Sequence, residues 1–240
     1  MGCLKKSGTP TTIGKQMVDR ISQFLQTKDF PYLESDGEPM GETGIHSLQI
    51  LMSMGVLRAY YRHHPNVYIG ANMFMYYTEA NPTDVVAPDL FVVFETHKEE
   101  RRTWRIWEEG KAPDFIIEFT SEATKGKDRW FKRGLYEELG VREYFQFDPL
   151  SEYLTPPLQG YRLIGEMYQP IESELVGGNL QLESKILGLY LKNEDSSLRF
   201  YEVNSGKKLL TQEEAEDELT HLRDELEKLK KQLGASQIDE

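Results

Sequence analysis

The sequence contains a single cysteine, Cys3, among 240 residues. One cysteine cannot form a disulfide within the chain, which excludes a small secreted domain held together by such bonds. No apolar run reaches the roughly 18 residues that a membrane-spanning helix needs, and the first residues lack the apolar stretch of a signal peptide. These absences predict a cytoplasmic protein.

An excess of positive charge is also missing. Aspartate and glutamate together number 40 against 28 lysines and arginines, for a net charge of −12. A protein that coats duplex DNA is usually basic over its binding surface, so this class is not favoured. The acidity is uneven, because residues 211–240 contain ten acids and four bases, half of the net charge.

Apolar side chains are plentiful enough for a folded core. They make up 39% of the sequence and include 13 tyrosines, 11 phenylalanines and 3 tryptophans. At this length we expect one large domain over residues 31–205. A weakly helical N-terminal segment over 1–30 precedes it, and a separate helix over 211–234 follows it.

The spacing of apolar residues predicts a mixed α/β fold. The predicted elements in chain order are a helix over 45–63, strands over 67–75, 89–94 and 114–119, a helix over 127–139 and a strand over 142–147. The second and third strands are short runs of β-branched and aromatic residues, typical of buried central strands, and a polar link joins them. Short β-like segments between 151 and 203 are expected to complete the same domain.

The C-terminal segment repeats apolar residues four and three positions apart, the a/d pattern of a coiled coil. The residues of this seam are Ala215, Leu219, Leu222, Leu226, Leu229 and Leu233. Fewer than three heptads is short for an autonomous coiled coil. The pattern favours self-association, as a homodimer, over a helix that packs on its own domain.

Two carboxylates interrupt the predicted central strands. Asp89 opens one strand, and Glu118 lies near the end of the next, 29 residues later. A buried carboxylate is costly unless it is paired or binds a metal ion. On neighbouring strands the two acids would form an oxygen-rich site suited to Mg²⁺ or Mn²⁺. Spacing alone nevertheless favours the alternative in which Asp89 caps a turn and Glu118 faces solvent.

Several ordered motifs surround these acids. They are ESDGE at 34–38, His46 at the start of a helix, APDLFVVF at 87–94, and a dense stretch at 112–149 that contains Pro113-Asp114, Glu118, Ser121, Thr124, Asp128, Lys132, Tyr136, Gly140-Val141 and Glu143-Tyr144. In this order the motifs resemble the Uma-two family of restriction endonucleases, a branch of the PD-(D/E)XK nuclease superfamily. The resemblance covers residues 30–150 and extends towards 203.

The resemblance implies a restriction-endonuclease-like core and metal-dependent hydrolysis of a nucleic-acid backbone. It implies that Asp89 and Glu118 hold the metal ion. Thr120 stands where the lysine of the superfamily signature would be, and the resemblance transfers that role to Lys132 on the following helix. An ammonium there would orient the attacking water or neutralise the phosphate. The alternative for Lys132 is an ordinary solvated helix lysine.

A further acid from the N-terminal segment commonly completes such a site. The candidates are Glu34, Glu38 and Glu42, of which Glu38 in the matching Asp-Gly-Glu is favoured. His46 either faces the site or is a helix histidine with ordinary hydrogen bonds.

Basic residues cluster in two places on this acidic chain. They are Lys125, Lys127, Arg129, Lys132 and Arg133 near the second long helix, and Arg101, Arg102 and Arg105 around Trp104 in the link. Such residues either contact phosphates or are merely solvated. We take Lys127, Arg129 and Arg133 as candidate phosphate contacts.

The predicted function is therefore a Mg²⁺- or Mn²⁺-dependent endonuclease that acts on DNA. One alternative is an inactive module of the same fold that self-associates through its leucine-seamed C-terminal helix. Another is a nuclease that acts on RNA or on a structured DNA intermediate.

Overall fold

The computed structural model describes residues 32–34, 44–120 and 127–236, with side chains over 130–232 of the last range. Within these ranges four helices are α1 (Gly44–Tyr60), α2 (Ile106–Glu109), α3 (Lys127–Glu138) and α4 (Gln212–Ser236). The first seven strands are β1 (Val67–Ala71), β2 (Met75–Tyr76), β3 (Val85–Val86), β4 (Leu90–Phe94), β5 (Trp104–Arg105), β6 (Phe115–Phe119) and β7 (Glu143–Phe147). Six more are β8 (Leu158–Ile164), β9 (Met167–Pro170), β10 (Ser173–Val176), β11 (Asn179–Ser184), β12 (Leu189–Glu194) and β13 (Ser197–Glu202). The N-terminal segment predicted over 1–30 lies outside the described residues.

The main sheet has six strands in the order β1-β4-β6-β7-β8-β9. Its neighbouring strands are antiparallel except for β6 and β7, which are parallel and are joined through α3. Parallel neighbours need a crossover connection such as this helix, because a tight turn can join only antiparallel strands. The predicted order of helix, three strands, helix and strand is confirmed by α1, β1, β4, β6, α3 and β7. This is the element order that the family resemblance implies for a restriction-endonuclease-like core, and added C-terminal strands and a C-terminal helix follow it.

A second sheet, of strands β10 to β13 in sequence order, packs with α1 against one face of the main sheet. The two sheets and α1 share one apolar core, to which β6 contributes Phe115 and Ile117 and the second sheet contributes Leu191 and Phe200. The β-like segments after residue 151 thus complete the same core, as the sequence predicted.

The opposite face of the main sheet lies beneath α3 and a small sheet of strands β3, β2 and β5. The core on this side is rich in aromatic residues and includes Phe91, Trp104, Tyr136 and Tyr144. Because both faces are covered, every residue of β6 is buried. This burial explains why central strands read as continuous apolar runs rather than as alternating ones.

One predicted strand had a wrong boundary, and two local features were not predicted. The strand expected over 67–75 ends at Ala71, because Asn72 adopts a left-handed φ of 47° and the chain leaves the main sheet. The polar link contains β5 and α2, which are anchored by the fully buried Trp104. The apolar residues of α1 do not all face the core, since Leu48 and Leu51 are exposed. The apolar residues of α1 lie on several sides of the helix, so their spacing in the sequence does not identify the side that packs against the core.

Helix α4 begins with a reciprocal capping box. The backbone N–H of Glu214 donates to Thr211 Oγ1 at 3.2 Å, and the backbone N–H of Thr211 donates to Glu214 Oε2 at 2.9 Å. Arg199 and Lys208 also pair with Glu214 and attach this first turn to the second sheet. Within the part of the chain that the structure describes, no helix combines the length and apolar character needed to cross a membrane.

Candidate active site

The strand register brings the two predicted acids together. Strands β4 and β6 pair antiparallel, with Leu90 opposite Ile117. Extending this register by one residue places Asp89 directly opposite Glu118, where antiparallel neighbours have Cβ atoms about 5 Å apart. Both residues are only 6% exposed. The alternative in which Glu118 faces solvent is therefore excluded by the structure.

Asp89 is fixed against the end of β6. Its Oδ2 accepts the backbone N–H of Phe119 at 2.7 Å, a bond that the strand ladder would otherwise have to supply. His46 on α1 lies beside it, with Nε2 at 3.2 Å from the same Oδ2 and 2.6 Å from the Phe119 carbonyl oxygen. Both neighbours are acceptors, so Nε2 carries the hydrogen. His46 thus faces the site, as one of the two alternatives proposed.

Glu118 is held through both carboxylate oxygens by α3. Lys132 Nζ donates to Oε2 at 2.8 Å, and the Tyr136 hydroxyl donates to Oε1 at 2.7 Å. Burial is the main cause that raises the pKa of Glu118, Lys132 opposes it and the charge of Asp89 adds to it, and together these effects move the pKa from 4.5 to about 7. Burial next to Glu118 also raises the pKa of the Tyr136 hydroxyl well above its usual value, which keeps it a donor.

Lys132 reaches the site from the helix rather than from the strand. Its side chain is 14% exposed, so it is not a solvated helix lysine. Thr120, two residues after Glu118, is buried, and its backbone N–H donates to the Phe147 carbonyl oxygen at 2.7 Å. A long cationic side chain at 120 would have to leave this packed position, whereas α3 lies above the same sheet face as Glu118. The ammonium therefore enters from α3.

The donor set fits a hard divalent cation. Carboxylate oxygens are the ligands that Mg²⁺ and Mn²⁺ prefer, and Mg²⁺ is commonly bound by one or two carboxylates together with waters. Asp89 uses only Oδ2 for hydrogen bonds within the described residues, which leaves Oδ1 for a ligand. No group of three or more His, Cys, Asp or Glu side chains suited to a metal occurs in the described ranges. Two acids with water are nevertheless a sufficient set for this class of ion.

Two polar residues of this site, Tyr136 and Gln146, were given no role from the sequence. Tyr136 follows Lys132 by one helical turn, so the pair shares a helix face and reaches the same carboxylate. Gln146 interrupts β7 as Glu118 interrupts β6, and the parallel register places the two side by side. Gln146 is 3% exposed. In β7, as in β6, a polar residue within an otherwise apolar central strand was the signal that could have identified it from the sequence.

The remaining predicted site residues divide by position. Glu38 and Glu42, like Lys125, lie outside the described residues, and the side chains of Lys127 and Arg129 are not described either. Glu34 is exposed and pairs with Arg102 at 2.9 Å. Arg133 stacks its guanidinium on the rings of Trp130 and Tyr161, 4.7 Å from each centroid.

The arginines of the link are engaged within the molecule. Arg101 pairs with Glu109 and lies over the Trp104 ring. Arg105 pairs with Glu108, and Arg102 pairs with Glu34 as described above. Each arginine already has a carboxylate partner, so the link is a weaker candidate for phosphate contact than α3.

Asp114 resembles Asp89 in sequence but not in position. Each aspartate follows a proline and immediately precedes a central strand. Asp114, however, lies at the start of β6 and accepts the backbone N–H of Phe94 at 2.8 Å and the Lys111 ammonium at 2.9 Å. It lies at the opposite end of β6 from Glu118, and its role is structural.

Comparisons with known proteins identify a family and a similar solved structure. A family model described as Uma2, putative restriction endonuclease, matches residues 21–194. Among solved structures, a putative nuclease belonging to DUF820 from Anabaena variabilis is similar, with a TM-score of 0.43 and 15% sequence identity. The similarity covers 70% of this chain and 89% of that chain. The search of curated proteins gives no match.

Proposed function

This chain belongs to the Uma2 family of putative restriction endonucleases, and on that premise we propose that it is a metal-dependent endonuclease that hydrolyses phosphodiester bonds in DNA. The observation that carries the proposal is the opposition of Asp89 and Glu118 across two central strands, both buried, with Lys132 at 2.8 Å from Glu118. Asp89 and Glu118 are the proposed ligands of Mg²⁺ or Mn²⁺. Glu38 is the proposed additional acid.

The charge of the site supports a cation. Two carboxylates face one lysine ammonium, and a phosphodiester would add another negative charge. Two like charges 4 Å apart repel by about 4 kcal/mol at an effective dielectric constant of roughly 20. Substrate binding therefore needs further positive charge next to the acids. When bound there, Mg²⁺ or Mn²⁺ lowers the pKa of a coordinated water and offsets the charge that develops on the phosphate.

The side chains of this chain have distinct tasks in the hydrolysis. Water adds to phosphorus, the phosphorus–oxygen bond to one nucleotide breaks, and a proton from the water ends on the departing oxygen. Lys132 would orient that water or donate a hydrogen bond to a phosphate oxygen. Tyr136 holds the second oxygen of Glu118, and His46 with the Phe119 N–H holds Asp89, so both carboxylates are oriented before substrate arrives.

The test is cleavage of supercoiled plasmid by the purified full-length chain with Mg²⁺, with Mn²⁺ and with a chelator. We expect metal-dependent cleavage that falls by at least about 100-fold in Asp89→Asn, Glu118→Gln and Lys132→Met, a loss typical of removing a positioned catalytic group. Asp114→Asn is the matched control, because Asp114 is as buried as Asp89 and occupies the equivalent place before its strand. This variant should retain activity per folded molecule.

Three outcomes would contradict the proposal. Cleavage that persists in the chelator or in Asp89→Asn would exclude the assigned site. Cleavage of single-stranded RNA but not of DNA would change the substrate. If no nucleic acid is cleaved and calorimetric titration of Mn²⁺ shows no difference between the unmodified protein and Asp89→Asn, the fold serves binding rather than catalysis.

A further inference from the structure

Among the residues that the structure describes, none covers the leucine seam of α4. Leu219, Leu222, Leu226 and Leu229 are between 47% and 55% exposed. Every described side chain from Glu216 to Gln232 is exposed as well. Contact with the body is made at the first turn, through Thr211 and Glu214. A helix whose apolar stripe does not pack on its own domain needs a partner to bury it.

The charges beside the seam identify that partner. In heptad notation the leucines at 219 and 226 occupy a positions, and those at 222 and 229 occupy d positions. The g positions that flank the seam are then Glu218 and Glu225, and the e positions of the following heptads are Arg223 and Lys230. In a parallel two-stranded coiled coil, each g residue lies beside the e residue five positions later on the other helix.

Both of these cross-helix pairs join opposite charges in a parallel dimer. Glu218 would face the partner's Arg223, and Glu225 would face the partner's Lys230, twice each by symmetry. In an antiparallel dimer g positions face g positions, so Glu218 and Glu225 would meet acidic residues or Gln232. Arg223 makes no ion pair within the described residues. Lys230 pairs with Glu227 at 2.9 Å, and Glu225 lies 4.0 Å from His221 on the same helix, but these contacts are between exposed side chains that can exchange partners.

We propose that α4 forms a parallel, in-register two-stranded coiled coil with a second copy of this chain. The parallel arrangement places both helix starts, and hence both bodies, at the same end of the coiled coil. The capping box at Thr211 and the Arg199–Glu214 ion pair attach each body to its helix. The two candidate active sites therefore belong to one end of the dimer. The proposal does not depend on their being active.

The first experiment measures the mass of the full chain in solution by sedimentation equilibrium over a range of concentrations. We expect the mass to approach twice the chain mass of 27.8 kDa. The double variant Leu222→Asp with Leu226→Asp should raise the dissociation constant at least tenfold. Both leucines are exposed, so the fold should be unaffected, as circular dichroism will check. A monomer at about 100 µM, a trimer, or a dimer that survives the double variant would overturn the proposal.

The second experiment tests orientation by disulfide trapping in a Cys3→Ser background. In a parallel, in-register pair the two copies of position 229 face each other at a d position, so Leu229→Cys should form a covalent dimer on mild oxidation. Lys228→Cys is the matched control, because position 228 lies on the outer side of the helix. A dimer in which 229 does not crosslink, or in which 228 crosslinks equally, would overturn the parallel arrangement.

The third experiment tests the ion pairs by mixing two charge variants. Glu218→Arg creates Arg–Arg pairs with itself, and Arg223→Glu creates Glu–Glu pairs with itself, so each should dimerise more weakly than the unmodified chain. Their mixture restores opposite charges at both contacts and should form heterodimers preferentially. Asp217→Arg mixed with Lys231→Glu is the control for net charge, since both positions face outward. Equal heterodimer preference in the two mixtures would overturn the assigned pairs.

Discussion

Glu118 lies where a carboxylate is difficult to ionise. It is buried and faces a second acid across the strand pair, and these two effects raise its pKa to about 7 although Lys132 lies 2.8 Å away. Favourable interactions elsewhere in the fold offset the free-energy cost of ionising Glu118 at this position. A cation between the two acids would relieve this cost, so the same geometry that weakens the metal-free protein strengthens metal binding.

The raised pKa predicts how Glu118 affects stability as pH changes. Between pH 4.5 and about 7 the unfolded chain releases this proton while the folded, metal-free chain keeps it. Stability therefore falls as pH rises through this window, and the cost is complete above about pH 7. Glu118→Gln, which is neutral at every pH, should be close to the unmodified protein at pH 4.5. It should be more stable by on the order of 3 kcal/mol at pH 8.

The measurement is urea unfolding with a chelator present at both pH values. Glu174→Gln is the control, because Glu174 is exposed on β10 and should give the same small difference at each pH. A Glu118→Gln difference that does not grow with pH would show that Glu118 is already charged in the folded protein.

At the scale of elements, two glycines make room for the rings of buried phenylalanines on the neighbouring strands of the main sheet. Gly70 on β1 lies opposite Phe91, and Gly160 on β8 lies opposite Phe145. A Cβ at Gly160 would lie 2.7 Å from the Phe145 ring, and one at Gly70 would collide with the Phe91 ring. These glycines are needed for close packing rather than for an unusual backbone conformation.

Alanine at either position should therefore destabilise the protein. Because the added methyl group overpacks a buried aromatic contact, we expect Gly70→Ala and Gly160→Ala each to lower the free energy of unfolding by about 1–3 kcal/mol. Gly55→Ala on α1 is the control, since a Cβ there meets nothing within 4 Å. Alanine in an exposed helix position should instead raise stability by about 0.5–1 kcal/mol. Thermal unfolding of the three variants checks both signs, and a neutral Gly160→Ala would show that the Phe145 ring moves freely.

Helix α1 shows the limit of periodicity as a guide to elements. Its inward face includes His46, Gln49 and Ser53, whereas Leu48 and Leu51 point outward. Gln49 and His46 are inside because they have partners there: Gln49 Oε1 accepts the backbone N–H of Leu198 at 3.0 Å, and His46 reaches Asp89. These partners are 149 and 43 residues away in sequence, so no local pattern could identify the inward face.

At the scale of the whole molecule, Glu143 connects the two large sheets. This fully buried residue of β7 accepts hydrogen bonds from Arg162 at 2.8 Å, from the Ser184 hydroxyl at 2.5 Å and from the backbone N–H of Lys185 at 3.1 Å. Arg162 belongs to the main sheet, and Ser184 ends β11 of the second sheet. A single carboxylate therefore satisfies donors from both layers.

Removing Glu143 should loosen this junction. Glu143→Ala leaves the partly buried guanidinium of Arg162 and three further donors, the Ser184 hydroxyl and the backbone N–H groups of Lys185 and Ile186, without this acceptor. We therefore expect the free energy of unfolding to fall by about 3–5 kcal/mol. Glu143→Gln, which keeps an acceptor oxygen, should lose less. Glu174→Ala on the exposed strand β10 should change stability by under about 0.5 kcal/mol. A Glu143→Ala value as small as that of Glu174→Ala would mean that the two sheets are held by apolar packing alone.

The sequence by itself determined the order of the core elements and the two acids. Strands buried on both faces must be apolar throughout, so Asp89 and Glu118 stand out within them, and the family resemblance directed attention to Lys132. Leucine spacing likewise determined α4. Only the tertiary structure decided which face of α1 turns inward, that Asp114 lies at the opposite end of β6 from Glu118, and that Tyr136 and Gln146 lie beside Glu118. These outcomes depend on strand register and on contacts between distant residues, which local spacing does not encode.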